Sequence, residues 1–361
     1  MERVSLKDTA VRIPSFQPEE ALQGWLMRLW DFSHISSIDA LLKRTLRTNN
    51  LQAAWGVPGG VELLWADLPS RVFDSAEDLL QSHTLFPLYE RFSKSCDISG
   101  LRDAALKGRG FRTRRQQPPL QPYPSPSLRF CPECLNEDET TLGYGYFRRS
   151  HQASFVMRCA SHRTILYQEC ISCRQKPWAE RNRLPSTKCV CGKPSEPVLD
   201  GARSKTSIDA DVRLARLVEQ VLTFSGQWPD EIQRFLSIAE VATFKGFRST
   251  IGTVPATRLL KSLKGHYDNE LIDRLGTRAK WFEQLALLIA SPASFADARF
   301  ALPLIGLLFE GVEPFSQYQL EQPACRPKAP PKPPTRTQVE LAKVLKQRKK
   351  MRVLADKQLI R

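Results

Sequence analysis

Apolar residues recur with a helical period over most of the chain, and one central stretch breaks that rule. Pro18-Glu19-Glu20 opens the first periodic segment, with Leu22, Trp25, Leu26 and Leu29 on one face. A proline suits a first turn, where its missing N–H has no intrahelical partner. A second helix is expected from about Ser37, carrying Ile38, Leu41, Leu42 and Leu46. Ser75-Ala-Glu-Asp78 resembles a capping box and starts a third. The aromatic segment Thr84 to Phe92 then closes a small helical domain. These short helices suit a helix-turn-helix unit and suit a plain helical bundle equally well.

The pattern returns beyond residue 200. Ser207-Ile-Asp-Ala-Asp-Val starts a helix with Val212, Leu214, Leu217, Val218 and Leu222, and Pro229-Asp-Glu-Ile starts another with Phe235, Leu236, Ile238 and Val241. Leu259, Leu260 and Leu263 mark a further segment, as do Trp281, Phe282, Leu285, Leu287 and Leu288. A last helix runs from about Phe295 to Phe309. These stripes predict packed helical core.

Between the two helical regions the period is lost and cysteines take over. Cys131 and Cys134 form C-x2-C, Cys159 and His162 form C-x2-H, Cys170 and Cys173 form C-x2-C, and Cys189 and Cys191 form C-x-C. A two-residue gap lets both side chains of a tight turn reach one ion, so eight ligands in four pairs predict two closed structural zinc sites. A closed site leaves no position for a reacting water. Pairs used in sequence would join Cys131, Cys134, Cys159 and His162, then Cys170, Cys173, Cys189 and Cys191. Alternate pairs in a cross-brace are the other arrangement. The loops of 24 and 15 residues inside the sequential sets favour the first. Phe155-Val156-Met157 reads as a strand in a hairpin carrying the second knuckle. His151 fits no pair and is expected to pack or to support a ligand.

The expected fold is mainly α with a small central zinc-binding module. Residues 1–115 form an N-terminal helical, helix-turn-helix-like domain, and 116–127 a Pro-rich linker. Residues 128–200 form a double zinc-finger module, 201–322 a helical C-terminal domain, and 323–361 a basic Pro-rich tail. A start of MERVSLKDTA without an apolar signal, and no run near the roughly 18 apolar residues of a membrane span, point to an intracellular chain with reduced thiols and no membrane partner.

Charge adds a partner. The 361 residues carry a net charge of +15, which favours a polyanion such as nucleic acid. Most of it is local: from Arg326 to Arg361, 12 Lys or Arg face two acids, Glu340 and Asp356, leaving +5 for the rest. Within this tail Lys346, Arg348, Lys349, Lys350 and Arg352 are candidate phosphate contacts, as are Arg109, Arg112, Arg114 and Arg115 in a Gly-containing basic loop. The tail is expected to order on a partner.

No G-x-x-x-x-G-K-[ST], H-E-x-x-H or G-x-S-x-G occurs, and the acids are scattered. No catalytic residue and no enzyme are expected.

Three stretches resemble the TniQ family, the TnsD-related targeting proteins of certain bacterial DNA transposons. EEALQGWLMRL (Glu19 to Leu29) is similar to the family's opening E-S-L-x-S-W-L-x-R-L, with Ala21 and Gly24 in place of serines. HTLFPLYERF (His83 to Phe92) is the second. LRFCPECL (Leu128 to Leu135) with YFRRSHQASFVMRCASHRTILYQECISC (Tyr146 to Cys173) is the third. The resemblance covers about the first half of the chain. It implies an N-terminal helix-turn-helix part, two zinc-finger motifs with sequential pairing, and a helical C-terminal part. It also implies a bacterial cytoplasmic, non-enzymatic adaptor, a homodimer in some members, that recruits an AAA+ ATPase regulator and through it the transposase. The target is marked by an RNA-guided Cascade complex, as in CRISPR-associated transposons. The alternative is a sequence-specific binder that reads attachment-site DNA directly.

Overall fold

Glu19 adopts a left-handed backbone, φ 57°, which a helix cannot contain. The first helix, α1 (Leu22–Asp31), therefore begins at Leu22 and not at Pro18. The segment ahead of it crosses back over the helix. Phe16 stacks on Trp25 with ring centroids 4.3 Å apart, and the Trp25 indole N–H donates to the Pro14 carbonyl at 2.8 Å.

The computed structural model describes residues 13–32, 40–41, 57–68, 72–92, 95–107, 128–168, 185–187, 192–198, 204–229, 238, 240–242, 244–246, 256–276, 280–281, 285 and 297–320. The chain divides into two compact units, Met1–Gln319 and Leu320–Arg361. Helices and a small sheet make up the first: α2 (Val61–Asp67), α3 (Ala76–His83), α4 (Phe86–Phe92), α5 (Ser95–Lys107), β1 (Arg129–Phe130), α6 (Pro132–Leu142), β2 (Tyr167–Gln168), β3 (Glu196–Pro197), α7 (Lys205–Thr223), α8 (Ala256–Tyr267), α9 (Asn269–Leu275), α10 (Ala298–Phe309) and α11 (Val312–Leu320). The protein is mainly helical with a small sheet.

Local signals place the helix ends. The Ser75 hydroxyl accepts the Asp78 N–H at 3.1 Å and starts α3. Ser204 accepts the Ser207 N–H at 3.2 Å and starts α7, so that helix begins before Ser207. Asp297 caps α10 through the Arg299 N–H. The chain from Thr84 to Phe92 becomes a helix from Phe86, with the Thr84 hydroxyl accepting the Phe86 N–H at 2.9 Å. A further helix, α11, follows α10, beyond the expected end at Phe309.

The sheet has order β1-β2-β3 and is antiparallel throughout, with Arg129 opposite Gln168 and Gln168 opposite Glu196. The strand expected at Phe155-Val156-Met157 is not one. Phe155 lies in a turn, and the Val156 N–H donates to Ala153 at 2.9 Å. What survives of the hairpin is a single antiparallel bridge, Arg158 to Ile165, flanked by Cys159 N–H to Thr164 O and Leu166 N–H to Met157 O, both 2.9 Å. Two ligands must converge from the turn at residues 159–162, and that tight turn leaves no length for a ladder.

The apolar stripes are core. Leu22, Trp25, Leu29, Leu214, Val218, Leu263, Leu304 and Phe315 are all buried in one cluster that α1, α7, α8, α10 and α11 share. Helices approach closely where glycine allows it. A Cβ at Gly306 of α10 would stand 1.8 Å from the Tyr267 hydroxyl, and one at Gly24 of α1 would stand 3.1 Å from the Phe147 Cβ. Ala40 and Leu41 are helical, as expected; Ile38, Leu42 and Leu46 lie outside the described residues, as do Asp230 to Ser237 with Phe235 and Leu236, Phe282, Leu287, Leu288 and Phe295. No helix among the described residues is long and apolar enough to cross a membrane.

Candidate metal centre

Phe130 ends β1, and Cys131 follows as the N-cap of α6, where Pro132 occupies the first turn. One helical turn then brings Cys134 beside Cys131. Gly143, with φ 79°, closes α6 in the left-handed conformation that glycine adopts freely. The second pair comes from the turn between Arg158 and Ile165, where Arg163 takes φ 63° and the His162 N–H lies 3.5 Å from the Cys159 sulfur. The C-x2-C and C-x2-H pairs, neighbours in sequence, therefore face each other.

The ligand atoms of Cys131, Cys134, Cys159 and His162 all lie within 4.8 Å of one another. The Cys134 and Cys159 sulfurs are 3.7 Å apart. The His162 Nδ1 stands 3.7, 3.2 and 3.6 Å from the sulfurs of Cys131, Cys134 and Cys159. A tetrahedron with metal–sulfur and metal–nitrogen bonds of about 2.3 and 2.0 Å has edges of about 3.5–3.8 Å. The separations of 3.2–3.7 Å lie close to that frame, and the Cys134 and Cys159 sulfurs are far too distant for a disulfide, whose sulfurs stand about 2.05 Å apart. All three cysteines are free thiols.

Electrostatics agree. The thiols of Cys131 and Cys134 donate toward Cys159 and hold it well below the usual thiol range. The same crowding pushes Cys134 well above it. Three close thiols can share one negative charge but cannot all ionise unless a cation joins them. A soft divalent cation fits this donor set.

The set is supported from outside. The Glu137 carboxylate lies 2.9 Å from the other nitrogen of His162, Nε2, which turns Nδ1 toward the sulfurs. Such carboxylate–histidine pairs orient metal ligands. Glu137 sits three residues after Cys134 on α6, and that spacing could have revealed it. His151 is buried beside Cys159 and lowers its pKa, the supporting place expected of it.

Around the cluster lies a joint of buried charges that the apolar period did not reveal. Arg28 of α1 is bidentate to Glu20, Nε to Oε1 at 2.8 Å and Nη2 to Oε2 at 2.5 Å, and both side chains are buried. Burial still leaves the Glu20 carboxyl above its usual range. Arg28 Nη1 donates to the Tyr144 hydroxyl at 3.1 Å. The Ala21 N–H donates to the Phe147 carbonyl at 2.7 Å. Arg149 donates to Glu19 at 2.8 and 3.0 Å, to the Leu222 carbonyl of α7 at 2.9 Å, and to Gln81 of α3. Arg148 is bidentate to Asp138 of α6 at 2.7 and 2.8 Å. A cleft of about 500 Å³ opens beside the cluster, lined by Glu19, Arg148, His151 and Glu219 among others. Burial, with the Cys159 sulfur nearby, pushes Glu219 up to about 7.

The remaining predicted ligands, Cys170, Cys173, Cys189 and Cys191, lie outside the described residues. So do the candidate phosphate contacts Arg109, Arg112, Arg114, Arg115, Lys346, Arg348, Lys349, Lys350 and Arg352. Residues 11–166 match the model of the TniQ family. That span runs from the segment ahead of α1 to the end of the Cys131–His162 cluster. No curated protein matches the chain.

Proposed function

From a chain that belongs to the TniQ family through residues 11–166, and is thus a transposition-associated protein, we propose a non-enzymatic target-selection adaptor of DNA transposition. It recruits an AAA+ ATPase regulator, and with it the transposase, to a target marked by an RNA-guided Cascade complex. The observation that carries this reading is the coincidence of the family match with a joint built for support. The matched residues hold α1, α3 and the Cys131–His162 cluster together through Glu19, Glu20, Arg28 and Arg149.

In this reading Cys131, Cys134, Cys159 and His162 hold a zinc ion, His162 through Nδ1. Bound zinc would supply four bonds tying α6 to the turn at residue 159. Cys170, Cys173, Cys189 and Cys191 would hold a second. The protein would act as a homodimer. Lys and Arg at residues 109–115 and 346–352 would neutralise nucleic-acid backbone without choosing sequence. A transposition adaptor needs rigid surfaces for two partners and no reacting group, and a four-ligand site offers no open position.

The test is purification of tagged protein from cells with identification of bound RNA and protein. A guide RNA with Cascade subunits supports the proposal. Bare protein that shifts one specific DNA duplex at physiological salt, without RNA, overturns it in favour of direct attachment-site reading, which the +15 net charge favours.

A further inference from the structure

The cleft of about 500 Å³ beside the Cys131–His162 cluster is lined by two acceptors that lack good donors. It opens where the segment ahead of α1 (Glu19), the module (Arg148, Ser150, His151) and α7 (Arg216, Glu219) meet. The first acceptor is the Glu219 carboxylate. Among the described residues it has one polar contact, a long one of 3.4 Å from the Ser150 hydroxyl, and no cation pairs with it. The second is His151, which is 2 % exposed and hydrogen-bonds the Cys159 sulfur. Its Nε2 has no partner, so Nδ1 makes that bond. A neutral imidazole that donates through Nδ1 carries a lone pair on Nε2. Ser150 and His151 are consecutive, so the Ser150–Glu219 contact holds α7 against the residue next to that lone pair.

The other charged groups lining the cleft are engaged or point outward. Glu19 is paired with Arg149 at 2.8 and 3.0 Å, and Arg148 is bidentate to Asp138. Arg216, one turn before Glu219 on α7, is exposed and forms no ion pair with it. Two unmet acceptors in a half-buried place are costly and call for N–H or O–H donors. Water could donate to both, but the field around them favours a cation. The Cys159 sulfur and Glu19 each raise the Glu219 carboxyl more than Arg148 lowers it. With zinc bound as proposed, three thiolates against one dication would keep that side negative. A guanidinium answers both needs. Its planar fork spreads five donors over separate directions, so one group can reach a carboxylate and a second acceptor together. It also sheds water more readily than an ammonium.

We propose that this cleft binds a guanidinium group, with the Glu219 carboxylate and His151 Nε2 as its acceptors. An arginine side chain of a protein partner and a free guanidino compound present the same donors. The site is independent of the transposition reading.

The experiment follows the Tm of the full metal-loaded chain while acetyl-arginine-amide is added. The control is the citrulline analogue, which has the same length and no charge. A saturable rise with the arginine compound alone is expected. Glu219→Gln should need about tenfold or more of it for the same rise, the loss of one charged hydrogen bond. If that variant does not fold, Glu219→Asp should fold and respond more weakly. Arg216→Ala removes an exposed cation from the rim and should need less than the parent. Ethylguanidinium that acts at the same concentration as the capped arginine identifies a free guanidino compound; a capped arginine that acts at lower concentration identifies a residue of a protein partner. Equal rises with arginine and citrulline, no saturable rise, or unchanged responses in the Glu219 and Arg216 variants would overturn the proposal.

Discussion

Around the Cys131–His162 cluster, short elements are joined by directional bonds, whereas the C-terminal helices are joined by area. The module has two-residue strands and an 11-residue helix. It reaches α1 and the segment ahead of it through Ala21 with Phe147, Arg28 with Tyr144 and Arg149 with Glu19, and α7 through Arg149 with Leu222. The helices α7, α8 and α10 instead bury Leu214, Val218, Leu260, Tyr267, Leu304 and Ile305 against one another. A segment too small to bury much apolar surface needs bonds with fixed geometry or an ion. Long helices can rely on packing, which is non-directional and tolerant.

The strongest way to break this contrast is to remove one of the four clustered donors. If the cluster holds zinc as proposed, Cys131→Ser should lose metal and unfold the module, because a structural zinc would contribute about 10 kcal/mol or more of apparent folding free energy. Metal analysis with limited proteolysis reads it, and a parent-like variant would mean the module stands on packing alone. Next comes the buried pair. Arg28→Leu leaves the Glu20 carboxylate buried alone and should cost about 3–5 kcal/mol, while Arg28→Leu with Glu20→Leu should cost clearly less. Leu214→Ala on α7 should cost a similar about 2–5 kcal/mol through a cavity, with no such rescue. Denaturant melts of the four variants sort the two kinds of cohesion.

A third effect is set by pH. Burial lowers the His83 imidazole to about 4, and its Nδ1 lies 2.7 Å from the Glu20 carbonyl. Between about pH 6.5 and about 4 the unfolded chain binds a proton that the folded chain refuses. The His83 share of stability therefore falls as pH drops through that window, by up to about 3 kcal/mol, and is unchanged above it. His83→Gln should flatten this share of the acid loss, measured as the difference between the two pH profiles. The smallest effect belongs to Ser75→Ala, which removes the α3 cap at about 1 kcal/mol and should leave metal content untouched.

How much of this was legible follows from the same contrast. The stripes at Leu214, Leu217, Val218 and Leu222, or Leu259, Leu260 and Leu263, could be read because burial repeats with the helix. The pairs Cys131/Cys134 and Cys159/His162 could be read because ligand spacing is local. Glu20 and Arg28 could not: eight residues apart, they match no helical contact, and their pairing depends on Glu19 turning left-handed. Arg149 was equally hidden, since its partners lie 130 and 73 residues away. Phe155-Val156-Met157 misled because apolar β-formers also fill turns when a neighbouring site demands one.

The hydrogen bond from Ala21 to Phe147 ties the chain's first helix to a loop made much later. During synthesis α1 is complete at Asp31, but the His162 that closes the cluster is added 131 residues afterwards. At about 5–20 residues per second this is a delay of roughly 7–26 s. Throughout it Leu22, Trp25, Leu26 and Leu29 have no module to pack against. The newborn N-terminus thus carries an apolar face that waits for a partner made much later, the kind of exposure that makes an unfinished chain prone to aggregate.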